Sequence, residues 1–352
     1  MSQSTEQQRT MRAAVVHEHG GVDKIVIEQR PVPEPPAGKV RRRVKACGIN
    51  HLDLWVRRGV PGHPFPLPMI LGCDFAGVVD AVGDGVTNAA VGDEVAVAPG
   101  FSCGTCRRCL AGDDNLCPKY GIFGEMADGG CADYAVVPAA NLLPKPPSMS
   151  FEEAAAFPLV FQTAWHMLVA RCRVRPGETV LVHAAGSGVG SAAVQIAKLW
   201  GATVIATASS DAKLELARRL GADHVINYRE KDFAREVRGL TDKRGADIVF
   251  EHTGEATFPG SVKSLAWGGR LVTCGATSGF EGRVGLRRLF CKCLSFLRST
   301  VGSRAELFEV IQHREAGRLR PVIDRVMPLD QIRDAHTVLE NREQFGKVVL
   351  IP

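Results

Sequence analysis

Four cysteines, Cys103, Cys106, Cys109 and Cys117, stand in the pattern C-x2-C-x2-C-x7-C within FSCGTCRRCLAGDDNLC. Thiolates at this spacing can close a tetrahedral zinc site, and a site closed by four sulfurs leaves no position for substrate, so its chemistry is architectural. Four thiolates also hold iron–sulfur clusters, and grouped thiols serve as redox sensors; spacing alone leaves both open. The chain holds 11 cysteines, and its first ten residues, MSQSTEQQRT, lack the apolar core of a signal peptide. A cytoplasmic protein is expected, and reduced thiols in a cluster are then read as metal ligands before disulfides.

A second stretch with chemical potential is TVLVH-AAGSGVGS-AAVQIAKLW, an apolar strand, a glycine turn and a helical segment. This order suits a dinucleotide: N–H groups at the helix start face the pyrophosphate, and small residues let the backbone approach it. The strict G-x-G-x-x-G pattern is degenerate, with Ala185 and Ser187 in its first two glycine positions and Gly190 in the third, so a purely structural turn is the competing reading. The contacts expected at the turn are Gly186, Ser187, Gly188 and Val189. About 20 residues on, an NAD-specific fold places an acid on the ribose 2′-hydroxyl. Here the second strand ends in Thr207-Ala208-Ser209-Ser210 with no acid, and Asp211 reads as a helix N-cap. Ser209 and Lys213 instead favour a 2′-phosphate, hence NADP over NAD.

These sites require elements to hold them. At 352 residues, 45% apolar and 23% charged, the chain has the composition of a globular protein of two domains. Up to about Pro147 short alternating runs such as RAAVVHE and EVAVAPG lie between turn residues, the mark of a β-rich domain. From Glu178 the texture becomes TVLVHA, SAAVQIAKLWGA, TVIATAS, DAKLELARRLGA, HVINY, EKDFAREVRGL, DIVFEH and RLVTCGA, strands alternating with helices in parallel βαβ units. The alternation fades after about Ser303, and the closing FGKVVLIP reads as a strand returning to the first domain. The uncharged run Thr179–Ala197 is interrupted by His183 and glycines and reads as strand, turn and helix rather than a membrane span. The net charge of +5 includes two basic runs, Arg41, Arg42, Arg43 and Lys45, and Arg287, Arg288, Lys292 and Arg298. They read either as solvated faces or as sites for a polyanion such as a coenzyme A ester. With only 6% aromatics in the chain, nucleic acid is not an expected partner.

Taken together, KACGINHLD, ILGCDFAGVV, VGDEV, the cysteine lobe, PLVFQTAWHML, the glycine turn and FGKVVLIP resemble the medium-chain dehydrogenase/reductase family over essentially the whole chain. The resemblance implies an α/β fold: a doubly wound Rossmann nucleotide-binding domain over 161–305, inserted into a GroES-like β-rich catalytic domain of 1–160 plus 306–352. It also implies an active site between the domains and a homodimer or a tetramer. In the zinc alcohol dehydrogenases of this family three residues hold a catalytic metal; the positions matching them are Asn50, Cys73 and Leu159, two of which are not ordinary strong ligands. The ACGxN form resembles the zinc-independent quinone oxidoreductase and enoyl reductase branches. NHLDLWVRRG and the cysteine lobe resemble acryloyl-CoA and related enoyl-thioester reductases. By resemblance to quinone oxidoreductases, Lys213, Tyr228 and Arg342 surround the 2′-phosphate. Thr163, Asn50, Cys274 and Lys347 complete the expected cofactor contacts.

Asn50, His51 and Asp74 are the candidate catalytic residues, with His51 meeting a cofactor phosphate or relaying a proton. Each also has a plain reading: Asn50 and Thr163 satisfy backbone groups, His51 is a surface residue, and Cys47 and Cys73 are small buried apolar residues. Alcohol oxidation without a Lewis acid loses its main charge stabilisation, whereas conjugate reduction needs only donors for an enolate oxygen. The expectation is an NADPH-dependent reductase of an α,β-unsaturated carbonyl, an enoyl-CoA thioester ahead of a quinone. A zinc alcohol dehydrogenase or a silent NADPH-binding protein are the alternatives.

Overall fold

The structure, a computed structural model, describes residues 9–352; most of the polar N-terminal segment lies outside them. The chain divides into two compact units, one running up to Leu159 and resuming at Ile323–Pro352, the other spanning Val160–Val322. The second unit therefore extends past the expected boundary at 305. Helix Arg304–Glu315 stays with it because Trp165 Nε1 donates to Glu309 at 3.2 Å and the His166 ring lies 2.8 Å from Glu306.

The first unit is built mainly on antiparallel strands, with Ile323–Pro328 and Lys347–Ile351 forming a parallel pair. Its larger sheet runs Leu142–Pro144, Glu94–Val97, Asp74–Val82, Lys39–Ile49, Lys347–Ile351 and Ile323–Pro328, with Tyr134–Pro138 also paired to Lys39–Ile49. The expected return of FGKVVLIP takes the form of an antiparallel ladder in which Leu350 faces Cys47 and Val348 faces Ile49. On the other side of Lys39–Ile49, Gly48 faces Asp74. Those registers bring the ends of three strands, remote in sequence, to one place. Gly48 also permits a close approach there: a Cβ on it would sit 2.2 Å from the Ala155 carbonyl oxygen of helix Phe151–Ala156.

The second unit carries a parallel sheet in the spatial order His224–Asn227, Thr203–Ala208, Thr179–Val182, Ala246–Glu251, Leu265–Thr273, Ser295–Arg298. Numbered in chain order this is 3-2-1-4-5-6, the doubly wound order whose reversal between the first and fourth strands opens a crevice at their carboxyl ends. Its strands read as near-continuous apolar runs because helices cover both faces, with Leu181, Ile205, Ile226, Val249 and Leu271 in the core. The uncharged run resolves into strand Thr179–Val182 and helix Gly188–Leu199. Among the described residues no helix is long and apolar enough to cross a membrane.

The first basic run does not present a single solvated face, because strand alternation splits it. Arg43 and Lys45 are exposed, and Arg41 pairs with Asp80 at 2.8 Å and Glu34 at 3.0 Å. Arg42 points inward, 1% exposed, its guanidinium 4.3 Å from the Phe75 ring centroid and its three nitrogens without a hydrogen-bond partner. Burial pushes its pKa down to about 9. An unpaired buried charge costs more than the apolar side chain that would fill the same volume. Arg42→Met is therefore expected to stabilise the first unit by about 1 kcal/mol or more, read as a rise in the melting temperature; a fall would mean that the cation–π contact outweighs desolvation.

Candidate active site

Residues from all three converging strand ends form one buried cluster. Asn50 follows Lys39–Ile49, Asp74 opens Asp74–Val82 and Lys347 opens Lys347–Ile351. Lys347 Nζ donates to Asn50 Oδ1 at 2.5 Å and to Asp74 Oδ2 at 3.1 Å. Asn50 Nδ2 donates to Asp74 Oδ2 at 2.9 Å and to Cys73 Sγ at 3.2 Å, and the Leu159 N–H donates to Asp74 Oδ1 at 2.9 Å. Lys347 and Asp74 are 3% and 0% exposed, so each neutralises a charge that could not otherwise be buried.

Asn50 also begins helix His51–Arg58, but its side chain serves the cluster. Its backbone N–H donates to Asp53 Oδ2 at 2.7 Å, and the Gly72 N–H donates to Asp53 Oδ1 at 2.9 Å. His51, in the first turn, packs edge-on against Trp55 at 5.1 Å between centroids.

The cluster does not suit a catalytic metal. Asn50 Oδ1 is committed to an ammonium, Leu159 offers no side-chain donor, and burial holds the Cys73 thiol well above its usual range, protonated. The cysteine lobe is different. The four Sγ atoms of Cys103, Cys106, Cys109 and Cys117 all lie within 4.8 Å of one another, with separations of 3.5, 3.6 and 3.8 Å among the closest. Zinc–sulfur bonds of about 2.3 Å give tetrahedral sulfur separations of about 3.8 Å, so these residues fit the ion. Backbone N–H groups of Thr105 and Cys106 lower the Cys103 thiol to about 6, toward the thiolate a metal needs.

In the second unit the glycine turn links strand Thr179–Val182 to helix Gly188–Leu199. Ser187 is its N-cap, with Oγ accepting from the Gly190 N–H at 2.9 Å. A Cβ on Gly190 would stand 2.4 Å from the Ala184 carbonyl oxygen, so this position of the degenerate pattern needs glycine for packing. Beyond the second strand the N-cap is Ser210, and Asp211 is the first helical residue rather than the cap. The Tyr228 N–H donates to the Ala208 carbonyl at 3.2 Å, which holds the loops bearing Ser209 and Tyr228 side by side. Lys213 follows in helix Asp211–Arg219. Thr163 lies buried in helix Pro158–Trp165, and burial pushes the Cys274 thiol, after the fifth strand, up to about 12. Arg342 belongs to the first unit, on the turn after helix Ile332–Glu340 at φ 57°.

At the switch point the sheet carries a polar network that sequence reading passed over. Glu251, 0% exposed at the end of the fourth strand, accepts from Ser261 Oγ at 2.6 Å, Thr253 N–H at 2.7 Å and Thr257 Oγ1 at 2.9 Å. His183 Nε2 lies 2.9 Å from Ser261 Oγ, and its Nδ1 lies 3.3 Å from Thr207 Oγ1. Because the Ser261 hydroxyl hydrogen goes to Glu251, Nε2 must carry the imidazole proton and Nδ1 must accept from Thr207. Burial lowers the His183 pKa, keeping it neutral. Burial works to raise the Glu251 carboxyl, but the Ser261 hydroxyl and the Thr253 N–H donating to it help to hold it below the ordinary value. One imidazole thus ties together the ends of strands one, two and four. The available signals were a histidine opening the glycine turn and a charge ending an apolar parallel strand.

Two family models match the chain, the alcohol dehydrogenase GroES-like domain over residues 36–147 and the zinc-binding dehydrogenase over residues 188–315. A 2-haloacrylate reductase from a Burkholderia species is 32% identical over 97% of this chain and 98% of its own. A solved NAD-dependent alcohol dehydrogenase is 53% identical, covering 97% of this chain and 99% of that one, with a TM-score of 0.93. A crotonyl-CoA carboxylase/reductase solved in complex with NADP is 27% identical over 97% and 95% of the two chains, TM-score 0.89. The doubly wound unit and the β-rich unit are thus those of a nucleotide-dependent oxidoreductase, one Rossmann-type and one GroES-like. The chain belongs to the medium-chain dehydrogenase/reductase family.

Two outcomes follow from the buried cluster. Lys347→Met strands the Asp74 carboxylate and is expected to cost about 3–5 kcal/mol, seen as a lower unfolding midpoint. Asp53 is pushed up to about 6 by burial, against an unfolded value near 4, so the folded state holds its proton more tightly. Stability should fall by about 3 kcal/mol as pH rises from 4 through 6. Melting curves of Asp53→Asn across that window should lose this slope.

Proposed function

We propose that the chain is an NADPH-preferring reductase that delivers hydride to the C=C bond of an α,β-unsaturated carbonyl compound, foremost an enoyl-CoA thioester of acryloyl or crotonyl type. We also propose that Cys103, Cys106, Cys109 and Cys117 hold one structural zinc. The observation that carries the reading is the Asn50–Asp74–Lys347 cluster. Asn50, with Cys73 and Leu159 beside it, matches by resemblance the metal-holding positions of the family's zinc alcohol dehydrogenases, and the cluster's ammonium and carboxylate neutralise each other. Alcohol oxidation needs a group that holds an alkoxide; conjugate reduction does not.

When bound, reduced nicotinamide supplies a hydride to the β-carbon, and the electron pair of the C=C bond moves toward the carbonyl oxygen. The residues act around that event. Gly186, Ser187, Gly188 and Val189 present the helix start to the pyrophosphate. Ser209, Lys213, Tyr228 and Arg342 receive the 2′-phosphate, and the end of the second strand, Thr207-Ala208-Ser209-Ser210, carries no acid before Asp211 of the next helix. Asn50, fixed at both ends of its amide, and Thr163 orient the ring. His51 relays the proton that the α-carbon takes up.

The names 2-haloacrylate reductase and crotonyl-CoA carboxylase/reductase among the relatives favour an activated C=C bond, and the latter's complex favours NADP. The 53% identical neighbour's name favours NAD-dependent alcohol oxidation instead. An acceptor screen beside metal quantification separates the two. Expected are one zinc per chain and oxidation of NADPH with crotonyl-type CoA esters, with Lys213→Ala raising KM for NADPH about tenfold while that for NADH holds. Two metals per chain with NAD-dependent alcohol oxidation would refute the proposal. Tight NADPH binding without turnover on CoA esters, enones or quinones would refute it in favour of a silent binder.

A further inference from the structure

A cavity of about 580 Å³ opens on the helical layer of the second unit, lined by Asp232, Arg235, Arg238, Lys243, Lys263 and Arg288, with Ala234 and Gly239 between them. It is a broad hollow open to solvent rather than an enclosed cavity. Five cations face it against one carboxylate, and Asp232 already spends an oxygen on the N–H groups of Ala234 and Arg235 as the cap of helix Phe233–Leu240. Ion pairs on the adjoining segments join Lys231 to Glu236 and Arg244 to Asp247 and leave all five cations out. Nearby, Lys292 gives its ammonium to the Leu265 carbonyl at 2.8 Å. Burial, then Arg288 and Arg238, lower its pKa, so the positive charge here is crowded and uncompensated.

The plain account is that Arg238, Lys263 and Arg288 stand in the last turns of three helices, where cations suit the helix dipole. That explains each cation by itself. It does not explain why three helix ends converge on one hollow, joined there by Arg235 and Lys243. The excess also exceeds what a single monoanion would neutralise. Guanidinium forks match phosphate oxygens bidentately and lysines serve as point charges. No aromatic residue lines the cavity, so a nucleobase would find nothing to stack on.

We infer that this cavity is a second anion site, apart from the glycine turn, that binds compounds bearing two or more linked phosphates and recognises the phosphates alone. The ligand is a short polyphosphate chain, free or as the tail of a nucleotide or coenzyme, and neither base nor sugar adds to its hold. Crowded like charges are relieved when it binds, and the site weakens as salt screens it.

Calorimetric titration of the full-length protein, saturated beforehand with NADP, with inorganic tripolyphosphate tests this, with ATP as a parallel arm. Saturable binding at one site per chain is expected, weakened at least tenfold by Arg238→Glu with Lys263→Glu and little changed by Lys39→Glu, an exposed cation on the other unit. Melting curves establish that the double variant is folded, and should it fail to fold, Arg288→Gln with Lys243→Gln takes its place with the same expected loss. ATP should bind within a few-fold of tripolyphosphate. Absence of saturable binding, indifference to the cavity variants, or equal weakening by Lys39→Glu would overturn the site. Tenfold tighter binding of ATP would overturn recognition by phosphate alone.

Discussion

The pairing of Lys347 with Asp74 is the interaction on which the first unit's architecture turns. Both groups are sealed from water, and an isolated ion in such surroundings would cost several kcal/mol. The pair persists only if three strand ends stay in register, because Gly48 must face Asp74 and Val348 must face Ile49 for ammonium and carboxylate to meet. A slip of one residue would turn Lys347 to the other face of its strand. The closing strand is therefore held in the sheet by side-chain chemistry as well as by its ladder, and Asn50 is rigid because both ends of its amide belong to the same network.

The second unit solves a similar problem with neutral groups. A carboxylate at the switch point of a parallel sheet lies where the carbonyl ends of strands already concentrate negative charge, yet Glu251 remains because backbone and hydroxyl donors surround it. The imidazole of His183 then transmits that order to Thr207 and hence to the turn it opens. A proton on Nδ1 would end its acceptance from Thr207 and require that hydroxyl to turn away. Burial works against that protonation, so the network stays fixed while the solvent pH varies around neutrality.

Legibility in the sequence followed distance along the chain. The cysteine lobe spans 103–117, and ligands so close together declare their geometry through spacing, which the sulfur separations match. The glycine turn, the strand–helix alternation and the return of FGKVVLIP were readable for the same local reason. Lys347 was assigned to the cofactor set; that it pairs with Asp74, 273 positions away, is a fact of strand register that no periodicity encodes. Arg42 shows the converse. Four basic residues in a row suggest a charged face, but a strand sends alternate residues to opposite sides, and here one side is the core. The late boundary at Val322 arose because helix Arg304–Glu315 is anchored through Trp165 and His166, residues about 140 positions earlier.

Charge placement also bears on what kind of oxidoreductase this chain is. A metal stabilises a developing oxyanion because its charge is not otherwise spent, and the Lys347 ammonium is spent on Asp74 and Asn50. What the cluster retains is order: an amide fixed in direction, in a region where few polar groups meet water. Preorganised dipoles of that kind need no rearrangement as charge develops, and the proposed conjugate reduction draws on this. The same reasoning separates the two metal questions. The four-thiol lobe has the spread that fits an ion, whereas the charges of the Lys347–Asp74 pair already balance each other, which is why the proposed function counts one zinc.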